Sequence, residues 1–222
     1  YSFFEKNNYI GGHTHTHDLK LNNLNYAVDS GFICYNENTY PNFINLLNIL
    51  GVESQKTKMG FSVKSEKKKL EYAGNSINSL FSQRKNIVNL SFLRMINDIL
   101  SFNKNSRSDL PTISSKITLG QYLKNNKYSN SFIYNYIIPM GAAIWSTKAA
   151  SMLNMPALFF VRFFNNHGLL QTKNRPNWWV IKGGSKEYVK KLVISFKENI
   201  RLSSPVFGIN RKNEKIEIKL SS

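Results

Sequence analysis

An acid, a glycine pair and three alternating histidines stand within the first seventeen residues, and each has a chemistry at its spacing. Glu5 closes the apolar run Tyr1-Ser2-Phe3-Phe4, which reads as a short buried strand ending in a carboxylate. The two oxygens of such an acid match two adjacent hydroxyls, as when an acid after a Rossmann strand holds a ribose. Gly11-Gly12 let backbone approach a phosphate where any Cβ would clash, and they serve equally in an ordinary turn. His13, His15 and His17 would share one face of a strand, an arrangement that can take zinc. No cysteine accompanies them and Asp18 would point the other way, so no metal is expected. His167, in Asn165-Asn166-His167-Gly168, is the candidate general base or a structural residue. Cys34 has no motif around it that would make it a nucleophile.

These residues need elements to position them. Pro41 suits a first helical position and Gly51 a C-terminal cap, which predicts a helix over 41–50 with Phe43, Leu46, Leu47 and Leu50 on one face. Met59, Phe61 and Val63 alternate, as do Leu70 and Tyr72, which predicts a hairpin. From about 76 to 166 the pattern is helical: Phe92, Ile96 and Ile99 share a face, and Thr118-Leu119-Gly120-Gln121 fits a capping box. Residues 131–145 are apolar but interrupted by Asn135 and Pro139, too short and broken for a membrane span. Gly183-Gly184 precede a helix with Val189, Leu192, Val193 and Phe196 on one face. Short strands follow near 200–202, 206–210 and 215–220. Trp145, Trp178 and Trp179 are core residues or cavity walls, with core expected for two of them.

The 222 residues carry a formal charge of +17, with 41% hydrophobic and 13% aromatic side chains. That composition specifies a globular chain. Lys67-Lys68-Lys69, Lys190-Lys191 and Arg211-Lys212 lie in separate segments and form no nucleic-acid motif. No nucleic-acid partner is expected, and the charge is compatible with an anionic membrane surface. The single cysteine points to a reducing, cytoplasmic compartment. The sequence opens on Tyr1 in an apolar run and stops after Ile216-Glu217-Ile218-Lys219-Leu220, so a fragment is expected.

The run Phe4-Glu5-Lys6-Asn7-Asn8-Tyr9-Ile10-Gly11-Gly12-His13 resembles the segment after the dinucleotide fingerprint in the flavin-containing amine oxidase superfamily, which includes phytoene desaturases and protoporphyrinogen oxidases. The resemblance continues through Gly11-Gly12-His13-Thr14, Val28-Asp29-Ser30-Gly31-Phe32, Asn38-Thr39-Tyr40-Pro41, Ala143-Ile144-Trp145-Ser146, Phe163-Phe164-Asn165-Asn166-His167-Gly168, Trp178 and Lys182-Gly183-Gly184-Ser185. It covers essentially the whole chain and is nearest a bacterial NAD/FAD-binding, amine-oxidase-like subgroup. The resemblance implies FAD, with Glu5 on the adenosine ribose and Gly11, Gly12, His13 and Thr14 near the pyrophosphate. His13 stands where the superfamily usually has Arg. Asp29, Gly31 and Phe32 match the segment beside the flavin ring, Gly183 and Gly184 a turn that returns the chain to the FAD domain, and Val206 a strand whose backbone meets adenine.

The expected class is therefore α/β with α+β character. An incomplete Rossmann-type FAD-binding domain over 1–52 and 176–222 is interrupted by a mostly helical substrate domain with a hairpin over 53–175. The expected phosphate loop upstream and flavin segment downstream are missing, which would leave the fragment inactive alone. The implied activity is an FAD-dependent oxidoreductase moving a hydride from an amine or an apolar, lipid-like small molecule to flavin. The rival readings are an NAD-dependent dehydrogenase, whose ribose Glu5 would also suit, and a non-catalytic basic binding module.

Overall fold

Along the chain run β1 (Phe3–Phe4), β2 (Thr16–Leu21), β3 (Leu24–Asp29), β4 (Tyr35–Asn36), α1 (Pro41–Leu50), β5 (Ser54–Thr57), β6 (Ser62–Ser65), β7 (Leu70–Ala73), α2 (Ile77–Leu80), a 3-10 turn (Arg84–Val88), α3 (Leu90–Asp109), α4 (Leu119–Asn125) and α5 (Asn130–Phe132). A π turn (Ile133–Ile137), α6 (Ile138–Trp145), α7 (Ala149–Met152), α8 (Ala157–Asn166), β8 (Trp178–Ile181), α9 (Lys186–Leu192), a 3-10 segment (Ile194–Asn199), β9 (Ile200–Arg201), β10 (Val206–Lys212) and β11 (Lys215–Leu220) complete it. This computed structural model describes residues 1–171, 176–213 and 215–221. The chain divides into two compact units, one of residues 1–57 with 177–222 and one of residues 58–176. Residues 53–57, expected in the insertion, belong to the first unit because β5 pairs with β8 from Ser54↔Ile181 to Thr57↔Trp178. Residue 175, where the insertion was expected to end, lies outside the described residues.

In the first unit, Pro41 opens α1 and Gly51 closes it in the left-handed region at φ 59°, donating its N–H to Asn48 O. The helix buries Leu47 against Tyr35, Ile181 and Tyr188. Phe43 centres this small core, with edge contacts to Phe32, Tyr35 and Tyr188 at 5.2, 5.1 and 5.3 Å. The sheet order is β4-β8-β5, and β1 pairs in parallel with β9. β1 is not the buried strand expected: Phe3 is 44% exposed. The helix after Gly184 also ends earlier than its apolar spacing suggested. Phe196 leaves helical geometry at φ −137° and packs its ring on Phe3 at 4.9 Å, while Leu192 stays exposed.

β2 and β3 form a hairpin that the alternation of His13, His15 and His17 did not by itself reveal. Asn22 and Asn23 both have positive φ, 49° and 63°, the two-residue turn whose twist matches that of the strands. The hairpin's orientation is inverted. Its polar row, Thr16, Asp18 and Asp29, bonds to its own unit, while Leu19, Leu21, Leu24, Tyr26 and Val28 are exposed.

The second unit rests on aromatic packing. Phe102, Phe132, Phe160 and Phe164 are fully buried, and α3 places Phe92, Met95 and Phe102 along one buried stripe. The hairpin forms as expected, with Val63 opposite Tyr72. So does the capping box: Gln121 N–H donates to Thr118 Oγ1 and Thr118 N–H to Gln121 Oε1. Asn135 and Pro139 do not break the apolar run; the backbone widens into the π turn and continues as α6. Pro139 has no N–H to give the carbonyl four residues back, and Tyr72 Oη donates to that Asn135 carbonyl at 2.7 Å instead. No helix among the described residues is long and apolar enough to cross a membrane.

Candidate functional site

Glu5 follows β1, where its N–H donates to Arg201 O and its carbonyl accepts from Ser204 N–H; Ser203 N–H donates to Asn7 O. The carboxylate is half engaged. Oε1 accepts the Asn7 N–H at 2.7 Å, and Oε2 bonds to none of the described residues. The expected pair of free oxygens is therefore one anchored and one open. The same backbone network leads through Ser204 into Val206 at the start of β10. Glu5 is thus bonded to Ser204, two residues before Val206.

The other expected contacts gather around the start of α9. Gly11 has φ 117°, and a Cβ there would lie 2.5 Å from Thr14 O. The glycine is required by its own turn, which Thr14 N–H closes onto Gly11 O. Gly12, at φ 54°, differs: a Cβ there would meet nothing within 4 Å, so its backbone faces open space. Thr14 Oγ1 lies 2.7 Å from Tyr188 Oη of α9. Gly31 leaves no room for a Cβ because the His13 carbonyl sits against it, and Phe32 N–H donates to that carbonyl at 3.3 Å. Phe32 itself packs on Phe43 and Tyr40, which places its ring beside the small core. Gly183 and Gly184 have φ 85° and 90°, and a Cβ on Gly184 would strike the Thr16 side chain.

A carboxylate cluster not anticipated as a unit ties these turns together. Asp29 accepts Thr16 Oγ1–H at 2.5 Å and the Ser185 N–H at 2.9 and 3.0 Å. Ser185 Oγ lies 3.0 Å from Asp29 Oδ2 and 2.9 Å from Phe32 O, so its one hydroxyl proton serves either. Lys186 N–H donates to Thr16 Oγ1 at 2.9 Å, and Ser185 is fully buried. The sequence signal was the hairpin alternation, which pairs Thr16 with Asp29.

Glu37 fastens β4 to β8. Hydrogen bonds from Trp179 Nε1 and from Asn177 hold its carboxyl below the usual carboxylate range. Burial pushes the Cys34 thiol up, away from a reactive thiolate. His15 stacks on Tyr9 and lies tilted against His17, each at 4.1 Å. Among the described residues no three His, Cys, Asp or Glu gather to hold a metal ion. His167, in the second unit, caps α8: its ring lies 3.9 Å from Phe163 and Nδ1 is 3.0 Å from Phe163 O. Trp145 packs on Phe160 and Phe163 and Trp179 joins the small core. An open depression of about 290 Å³ is lined by Gly51, Val52, Glu53, Lys182, Glu187 and Lys191. Of the expected site residues, none lines it.

Solved structures share this fold. A putrescine oxidase bound to putrescine aligns with a TM-score of 0.61 at 14% identity, over 99% of this chain and 49% of its own. A single-mutant form of putrescine oxidase gives 0.62 at 13% identity, over 99% and 48%. The chain spans about half the length of these proteins, and at such identity the likeness speaks for the fold. No curated protein sequence matches the chain. The family model for flavin-containing amine oxidoreductases matches residues 3–222. On that match across nearly its whole length, the chain belongs to the flavin-containing amine oxidoreductase family.

Proposed function

We propose that the polypeptide carrying this chain is an FAD-dependent oxidoreductase in which the unit of residues 1–57 and 177–222 is the interrupted Rossmann-type portion that holds FAD. Membership of a flavin-containing family implies the cofactor, and the observation that carries the residue assignment is Glu5. Its anchored Oε1 orients the carboxylate and its open Oε2 suits a ribose hydroxyl. Gly12 offers bare backbone to a pyrophosphate. The backbone of Val206 suits adenine, and the Gly31–Phe32 segment suits the flavin ring's flank. Bound FAD supplies the hydride acceptor. The chain's residues bind, orient and exclude water around it. No acid or base is assigned, since His167 is engaged by Phe163.

The charge of the helical unit favours one kind of substrate. Its acids are Glu66, Glu71, Asp98 and Asp109, against many lysines and arginines. Asp98 is taken by Arg94 at 3.2 Å and by Ser129 N–H, and Asp109 accepts from Tyr122. That balance disfavours a dicationic diamine and favours a monoamine or an apolar, lipid-like molecule. The test is anaerobic. Purified full polypeptide should show a flavin absorption spectrum that bleaches on adding monoamines or unsaturated lipids. Colourless protein that FAD cannot reconstitute contradicts the assignment, and bleaching by diamines alone contradicts the substrate class.

A further inference from the structure

The Asp29 cluster joins three segments that the flavin reading uses, two set against different parts of the cofactor and one that returns the chain to the FAD-binding portion. Thr16 lies just past the Gly11–Thr14 turn, Asp29 just before Gly31–Phe32, and Ser185 just after Gly183–Gly184. One carboxylate takes hydrogens from Thr16 Oγ1 and Ser185 N, with Ser185 Oγ in reach of both Asp29 and the Phe32 carbonyl. Thr16 Oγ1 is used twice, donating to Asp29 and accepting from Lys186 N–H. The glycines make this closeness feasible, since a Cβ on Gly184 would collide with Thr16 and one on Gly31 with the His13 carbonyl. Other bonds join these segments in pairs, Thr14 Oγ1 with Tyr188 Oη, Phe32 N–H with His13 O and Lys186 with Asp18, whereas the Asp29 carboxylate is where all three meet.

We infer that Asp29 is a positioning residue for FAD: it touches no part of the cofactor but clamps the three turns in the arrangement that receives it. This rests on the flavin reading above. An acceptor-only carboxylate suits this place, because Thr16 Oγ1–H and Ser185 N–H both donate to it. Asn in its place would offer one acceptor oxygen and turn an NH2 group toward a donor. The clamp therefore differs from an ordinary stabilising bond in the unit, such as Tyr35 Oη–H to Ser54 Oγ at 2.7 Å, which joins none of the three turns.

The experiment measures FAD dissociation constants by flavin fluorescence, together with apoprotein thermal stability, for Asp29→Asn, Thr16→Val, Thr16→Ser and Tyr35→Phe in the full polypeptide. Asp29→Asn and Thr16→Val should each weaken FAD binding by about tenfold or more, the scale of a lost charge-assisted bond. Thr16→Ser keeps the hydroxyl and should restore wild-type affinity. Tyr35→Phe should lower thermal stability with FAD affinity unchanged. If Asp29→Asn fails to fold, the Thr16 pair alone decides: equal affinities for Val and Ser overturn the clamp. Wild-type affinity in Asp29→Asn overturns it too, and so does weakening by Tyr35→Phe that matches it for equal loss of stability. A wild type that takes up no FAD overturns the flavin reading instead.

Discussion

The two units are held together by different means. Residues 58–176 enclose a continuous aromatic and aliphatic core in which Phe102 touches Tyr122, Tyr128, Phe132 and Phe160. Among the described residues of 1–57 and 177–222 the cluster buries Tyr35, Leu47, Ile181 and Tyr188, and the unit relies on polar fastenings: Asp29 with Ser185, Glu37 with Trp179 and Asn177, Asp18 with Lys186. The first arrangement stabilises through area removed from water. The second spends its side chains on fixing turns, and leaves the apolar rows of β2–β3 and β10–β11 exposed. A unit built to place backbone against a ligand needs turns at defined positions, and carboxylates and glycines supply that more directly than bulk does.

This contrast can be broken by experiment. Phe102→Ala should remove about 3–5 kcal/mol from the unfolding of the helical unit, measured by denaturant titration with near-UV dichroism. A loss below about 1 kcal/mol would mean that its core is not what sustains it. The units should also part with pH. Burial raises Tyr72 and Tyr122 above the ordinary 10.0, helped at Tyr122 by the Asp109 carboxylate. Their folded forms keep protons that the unfolded chain releases, so their stabilisation is complete below pH 10 and fades as pH rises beyond it. Asp18, Glu37 and Glu53 run the other way. Lowered by hydrogen bonds from Lys186, from Trp179 and from Lys182, they contribute above the ordinary carboxylate values and lose that contribution as pH falls below them. Cys34 and Tyr40 are raised by burial in the other unit too, but Tyr72 and Tyr122 are raised furthest, so alkali should cost the helical unit more, while acid acts, weakly because these carboxylates are exposed, on the other. Hydrogen exchange followed at pH 3 and pH 11 reads both, and loss of protection in the same unit at both extremes would remove the distinction. The smallest effect belongs to Thr118→Ala. Losing the capping box on α4 should cost about 1 kcal/mol, and a cost indistinguishable from zero would show that the Leu119 and Leu123 packing alone holds the helix.

Punctuation and period were readable in the sequence. Pro41 and Gly51 bounded α1, Thr118 and Gln121 marked α4, and the alternation around Val63 and Tyr72 gave the hairpin. The β2–β3 hairpin was also written there, as Leu19, Leu21, Asn22-Asn23, Leu24, Tyr26 and Val28, but its apolar row faces outward, where burial could not be the guide. Pro139 looked like an interruption because the remedy, a hydroxyl from Tyr72, lies 67 residues away from it in sequence. In the site, types alone suggested Glu5 and the glycines. The split duty of the Glu5 oxygens and the clamp on Asp29 arise from segments far apart in sequence, which no local pattern encodes.

The central claim is that Glu5 in the smaller-cored unit holds FAD. Equilibrium titration of the full polypeptide with FAD, wild type beside Glu5→Ala, tests it most directly. The account predicts that wild-type protein binds and that Glu5→Ala binds more weakly by about 1–3 kcal/mol, the loss of a charge-assisted hydrogen bond. Equal affinity in the two proteins would contradict it.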